Sequence, residues 1–190
     1  MIENKEHTGE HFRDLSFIDM NLAEHVFEDC VFINCDFKSV VLDKSRMIDC
    51  RYEACDLSNI SLTSATMRGL AFVNCKLLGV QWPQVEQLVN LSFTECNLNY
   101  CNFVGMKLKK IVFNKCFLRE VDFSHSDLAE SDFREANLLN ARFNGSSLLK
   151  ADFRRAIDYQ INPLANKIQG ARFSLPEAQE LLIGLGIILD

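Results

Sequence analysis

The chain has 190 residues, 48% hydrophobic and 24% charged, with a mean hydropathy of −0.01 and a net charge of −6. This is the composition of one globular domain and excludes a disordered or collagen-like chain. An excess of 26 acidic over 20 basic residues disfavours direct nucleic-acid binding, and the longest apolar run, Leu181 to Leu189 broken by Gly184 and Gly186, is too short to span a membrane. The first ten residues carry no apolar signal core, so a cytoplasmic location is expected.

Residues 1–9 form an N-terminal segment outside any pattern. From Phe12 onward every fifth residue is large and apolar: Phe17, Leu22, Phe27, Phe32, Phe37 and so on without exception to Leu77 and Trp82. After a slip of one residue the series resumes at Leu88 and runs to Phe153, so that thirteen of the fifteen phenylalanines stand in register. A period of five suits neither a helix nor a flat strand. The residue two before each centre is usually small or medium-sized, as in Cys30, Ser45, Ala65 and Ala136, and the residue just before the centre is often Asp or Asn, as in Asp36, Asn97, Asp122 and Asp152.

This A(D/N)LXX pattern, clearest at Ala136-Asn-Leu-Leu-Asn and Ala151-Asp-Phe-Arg-Arg, resembles the pentapeptide-repeat family over residues 10–156. The resemblance implies an all-β solenoid, a right-handed quadrilateral β-helix in which four pentapeptides make one square coil. Taking every twentieth residue, and twenty-one across the slip, supports that number independently. It gives a wholly aromatic column of Phe12, Phe32, Tyr52, Phe72, Phe93, Phe113, Phe133 and Phe153, which can stack from coil to coil. Just over seven coils at about 4.8 Å each predict an axis of roughly 35 Å.

The slip between Trp82 and Leu88 contains Pro83, which has no backbone donor, and reads as a one-residue bulge that turns Glu86 outward. Its functional alternative is a projecting recognition bulge over Trp82 to Asn90, with Trp82, Pro83 and Glu86 as candidate residues. All eight cysteines fall in the narrow inward row, where small apolar thiols fit. Their five-residue spacing reflects the coil period, so neither metal nor disulfides are expected. His7, His11, His25 and His125 have no spatially paired nucleophile. Ser124 is predicted to face outward and Ser126 inward, so no triad forms. There is no phosphate loop, and neither an enzyme nor a cofactor is expected.

Residues 157–190 read as a cap or dimerisation segment. Ser174 to Glu177 predicts a capping box with Pro176 in the first turn. A helix follows with Ala178, Leu181, Leu182 and Leu185 on its apolar face, then a short strand-like run, Ile187 to Leu189. The helix could cap the last coil edge. Resemblance to the Qnr, MfpA and McbG branch of the family instead implies a homodimer through Leu181, Leu182, Leu185, Ile187, Ile188 and Leu189.

Charge is uneven along the chain. Residues 1–29 hold eight carboxylates, among them Asp14, Asp19, Glu24, Glu28 and Asp29, against Lys5 and Arg13. Lys107, Lys109 and Lys110 make a basic spot that Asp127 and Glu130 compensate one coil later. The same resemblance implies a DNA-mimicking protein that binds a type II topoisomerase, DNA gyrase or topoisomerase IV, and protects it from or modulates quinolone or toxin poisoning. The five acids named are then the candidate contacts. The alternative is a scaffolding module that binds an unrelated protein.

Overall fold

A chain whose apolar residue recurs every five positions buries one side chain per side of a square coil. It must also bend the backbone at every corner, and the computed structural model, which describes residues 4–188, does both. It is a parallel β-solenoid of about eight turns with one short C-terminal helix.

Three-residue strands alternate between two sides in the first half of the rod. On the first side lie β1 (Glu6–Thr8), β3 (Val26–Glu28), β5 (Arg46–Ile48), β7 (Thr66–Arg68) and β9 (Gln87–Val89). On the second side lie β2 (His11–Arg13), β4 (Val31–Ile33), β6 (Arg51–Glu53), β8 (Ala71–Val73), β10 (Ser92–Thr94) and β11 (Val112–Asn114). Every pairing is parallel, and the register is the one the twenty-residue period predicts: Phe12 opposite Phe32, Phe32 opposite Tyr52, and Phe72 opposite Phe93 across the slip. The third and fourth sides, centred on the columns that begin at Phe17 and Leu22, are joined by single bridges. There each pentapeptide closes a β-turn, as where the Met20 N–H donates to the Phe17 carbonyl at 2.9 Å.

Two physical features explain the motif. The residue two after every centre from Phe12 to Phe153 except Trp82 has positive φ, from Asp14 at 55° to Arg155 at 63°, a conformation that Asn, Asp and Gly tolerate best. The Asp or Asn just before a turn centre accepts the N–H two residues on, as Asp36 does from Lys38 at 3.0 Å and Asp122 from Ser124 at 2.9 Å. That bond satisfies a corner amide which the inter-coil ladder does not reach.

The aromatic column stacks continuously from Phe12 to Phe173, with centroids 4.8 Å apart for Phe12 and Phe32 and 5.2 Å for Phe153 and Phe173. The ladder thus runs beyond the 10–156 pattern at both ends. His7 occupies a centre at the N-terminal end, 5% exposed and stacked on Phe27 at 5.1 Å. At the other end β12 (Asp152–Phe153) pairs with β13 (Arg172–Phe173). The apolar template missed the first because histidine is not apolar. It missed the second because Asp158 and Pro163 stand where centres should be, and Tyr159 and Ile161, each 1% exposed, fill the interior instead.

The C-terminal segment departs from its predicted form. A 3₁₀ turn (Glu177–Gln179) leads into a single-turn helix, α1 (Glu180–Ile183), and neither has a side-chain cap. Ser174 is not an N-cap: its hydroxyl accepts the Arg155 N–H at 3.1 Å and its carbonyl accepts the Ala178 N–H at 2.9 Å, fastening the segment to the previous coil. Ile187 and Ile188 form no strand, and Leu189 lies outside the described residues. Among the described residues no helix is long and apolar enough to cross a membrane.

Candidate binding surface

The eight cysteines line the inner corners as free, buried thiols. The Cys55 and Cys75 amides donate to the next sulfur, Cys75 and Cys96, at 3.4 Å each, and each thiol donates to a carbonyl, as Cys75 does to Tyr52 at 3.5 Å. Burial pushes the Cys50 and Cys101 thiols up to about 12, the opposite of the depression that a reactive thiolate requires. Ser126 is buried and donates to the Phe103 carbonyl at 2.7 Å, while Ser124 and His125 lie on the outside of the same turn. Outer rather than inner side chains therefore carry the chemistry of this molecule.

The five candidate acidic contacts are exposed and distributed around the first coils. Asp14, Asp19, Glu24 and Asp29 each sit at a positive-φ corner of a different side, with Glu28 beside Asp29. They form a ring at the N-terminal end, not a stripe along the rod. A hydrogen bond from Lys5, at 2.9 Å, and its charge hold the Glu24 carboxyl below its usual value, and the Asn34 amide donates to Asp14 at 2.6 Å.

Farther along, carboxylates and bases neutralise one another from coil to coil. Lys109 and Lys110 both reach Glu130, at 3.1 and 3.7 Å, so the basic spot is compensated. Arg142 pairs with Asp122 of the preceding coil at 2.8 Å, and within one repeat Arg154 pairs with Asp152 at 2.6 Å. Partial burial raises both of those carboxyls, but bonds from Ser124 and Arg142 to Asp122, and from Arg154 to Asp152, outweigh it, and both are held below the ordinary carboxylate value.

The slip is a bulge in which two successive amides, Glu86 and Gln87, share the Ala65 carbonyl at 2.9 and 3.4 Å. Val85 packs against the core and Glu86 is turned outward. Trp82 is fully buried and stacks on Phe103 at 5.4 Å, so of the three candidate bulge residues only Pro83 and Glu86 reach the surface. At the C-terminal tip Leu181 packs against the core, while Leu182, Ile183, Leu185, Ile187 and Ile188 are exposed.

The sequence reading missed an outer patch on the third side. Tyr100, Phe117, Leu139 and Ile157 are exposed by 52%, 56%, 36% and 43% on successive coils. Phe117 was visible in the sequence as one of the two phenylalanines outside the five-residue register; the other, Phe173, joins the aromatic stack.

Comparison with known proteins is consistent with this architecture. Residues 25–87 and 80–153 match the sequence profile of the pentapeptide repeat region. A search of curated proteins finds no match. Among solved structures, a trypsin-treated variant of QnrB1, a plasmid-mediated fluoroquinolone resistance protein, superposes with a TM-score of 0.77 at 16% identity, covering 97% of this chain and 98% of that one. A second trypsin-treated variant gives 0.62 at 19% identity over 97% and 100%. HetL of the cyanobacterium Nostoc sp. strain PCC 7120, involved in heterocyst differentiation regulation, gives 0.65 at 16% identity over 89% and 88%.

Proposed function

The chain belongs to the pentapeptide repeat family, and from that premise we propose that it is a protein-binding rod that engages a type II topoisomerase, DNA gyrase or topoisomerase IV, and protects it from quinolone or toxin poisoning. The observation that carries this reading is the correspondence, over 97% of this chain and 98% of the other, with a trypsin-treated variant of a fluoroquinolone resistance protein. The acidic ring at the N-terminal end supports an electrostatic contact with the enzyme's basic DNA-binding surface. The rod is about as long as one turn of B-DNA. The exposed apolar tip, Leu182 to Ile188, supports an isologous homodimer, which would bury that patch twice and double the length.

The deciding experiment is a gyrase supercoiling assay with and without quinolone. The protein is expected to relieve the poisoned cleavage complex or to inhibit supercoiling, and no change in a large molar excess of the protein rejects the reading. A second reading, a scaffold for an unrelated protein, is favoured by the comparable match to HetL, a pentapeptide repeat protein involved in heterocyst differentiation regulation.

A further inference from the structure

The row of residues just before the centres of the third side reads Ser16, Asp36, Asp56, Lys76, Asn97, Phe117, Asn137 and Ile157. It is polar throughout except at Phe117 and Ile157. At this position the fold favours Asp or Asn, whose side chain holds the N–H two residues on, as Asn97 does for Asn99 and Asn137 for Leu139. At Phe117 that duty passes to Asn99 of the preceding coil, whose side-chain oxygen accepts the Arg119 N–H at 2.8 Å. Phe117 therefore makes no structural contribution that asparagine would not make, yet it holds an aromatic ring in water.

Tyr100 is a second departure on the neighbouring coil: at φ 65° it occupies the positive-φ corner, where every other described corner residue is polar, charged, alanine or glycine. Its N–H bonds the Arg119 carbonyl at 2.9 Å, which fixes it beside the Phe117 repeat. Local rules broken without gain in packing mark a functional surface. Tyrosine, arginine and phenylalanine are residues enriched at protein interfaces.

Leu139 and Ile157 continue this band toward the C-terminal end, where they border a hollow of about 440 Å³ also lined by Tyr159, Glu177 and Glu180. On the preceding coils Asp122, Glu130, Glu135 and Asp152 have basic partners, but among the described residues Glu177 and Glu180 have none. The negative field is felt by the Tyr159 hydroxyl, which burial, then Glu177 and Glu180, push up to about 12.

We propose that this face docks an amphipathic, basic segment of a partner protein, with apolar side chains laid along Tyr100, Phe117, Leu139 and Ile157 and a lysine or arginine over Glu177 and Glu180. The three coil steps from the Asn97 repeat to the Ile157 repeat span roughly 14 Å, and the hollow extends that by a few ångströms, which suits about three to four turns of helix. The inference rests on the reading of the chain as a protein-binding rod but not on the identity of the enzyme.

The test uses the full-length chain and a fluorescein-labelled amphipathic Leu/Lys peptide of about four helical turns, with a scrambled, non-amphipathic peptide of the same composition as control. Saturable anisotropy is expected with the first peptide only. Phe117→Asn combined with Tyr100→Gly should weaken binding by about tenfold or more while leaving the melting temperature unchanged or raised, because both substitutions restore the local rule. Glu177→Gln with Glu180→Gln should weaken it and flatten its salt dependence.

Absence of saturable binding, equal binding of the scrambled peptide, or unchanged affinity of the Phe117→Asn, Tyr100→Gly variant overturns the proposal. Light scattering that shows self-association abolished by that variant also overturns it, by making a second copy the occupant. Peptide binding without any effect on gyrase rejects the topoisomerase reading alone. An effect on gyrase that the variant retains, together with no peptide binding, rejects the docking face alone.

Discussion

Phe113 is fully buried, stacked 5.3 Å from both Phe93 and Phe133 and edge-on to Phe103 and Phe123. Phe113→Ala should cost about 3–5 kcal/mol. Phe113→Asp places an unpaired charge in the stack and should unfold the chain, read as loss of the circular dichroism signal. Cys75→Ala removes three weak sulfur hydrogen bonds and little volume, and roughly 1–2 kcal/mol is expected from urea midpoints. Asp122 and Asp152 supply a pH signature. Both carboxyls lie below their ordinary value in the folded chain, so the stability they contribute is complete above the unfolded carboxylate value near about 4 and is lost as pH falls through the lowered folded values. Asp122→Asn with Asp152→Asn keeps the amide-accepting oxygen but removes the charge, and should flatten the acid limb of a stability–pH curve. The inward residues were legible because one apolar period fixes them. His7 was not, because its buried ring is held by polar contacts, to the Glu10 carboxylate at 3.0 Å and the Asn4 carbonyl at 2.8 Å, that no hydropathy template scores.

At the scale of elements, the strands followed from the period alone, since a parallel ladder repeats whatever column the sequence repeats. The bulge was legible as a count of six between Trp82 and Leu88, and its outcome, Val85 inward and Glu86 outward, follows from the cost of burying an acid. The C-terminal segment was less legible. Ser174 has the residue type of an N-cap, but the adjacent Arg155 amide claims its hydroxyl, a competitor that local sequence does not reveal. Truncation before Ser174, or Leu182→Arg with Ile188→Arg, should convert the proposed dimer to a monomer or an aggregate by light scattering. A single subunit mass for the intact chain at micromolar concentration would reject the dimer.

At the scale of the whole molecule, the proposed electrostatic contact must be salt-sensitive, because exposed charges are screened over about 8 Å at physiological ionic strength. Neutralising Asp14, Asp19, Glu24, Glu28 and Asp29 together should weaken any effect on gyrase without lowering stability much, since these acids are exposed. If supercoiling assays show the neutral variant to be as active as the parent, recognition lies elsewhere on the rod, with the exposed Pro83 and Glu86 next in line for substitution.

The sequence by itself determined the coil, its register and its interior, because a period of five with one apolar residue per side leaves the backbone a single way to bury all of them. Only the tertiary structure decided where the acids point and where the rod ends. The N-terminal carboxylates are scattered in sequence and become a ring only because each side of a coil turns its corner outward in a different direction. Tyr100, Phe117, Leu139 and Ile157 are spread over nearly sixty residues of chain and become one surface only because successive coils bring every twentieth residue back to within about 5 Å.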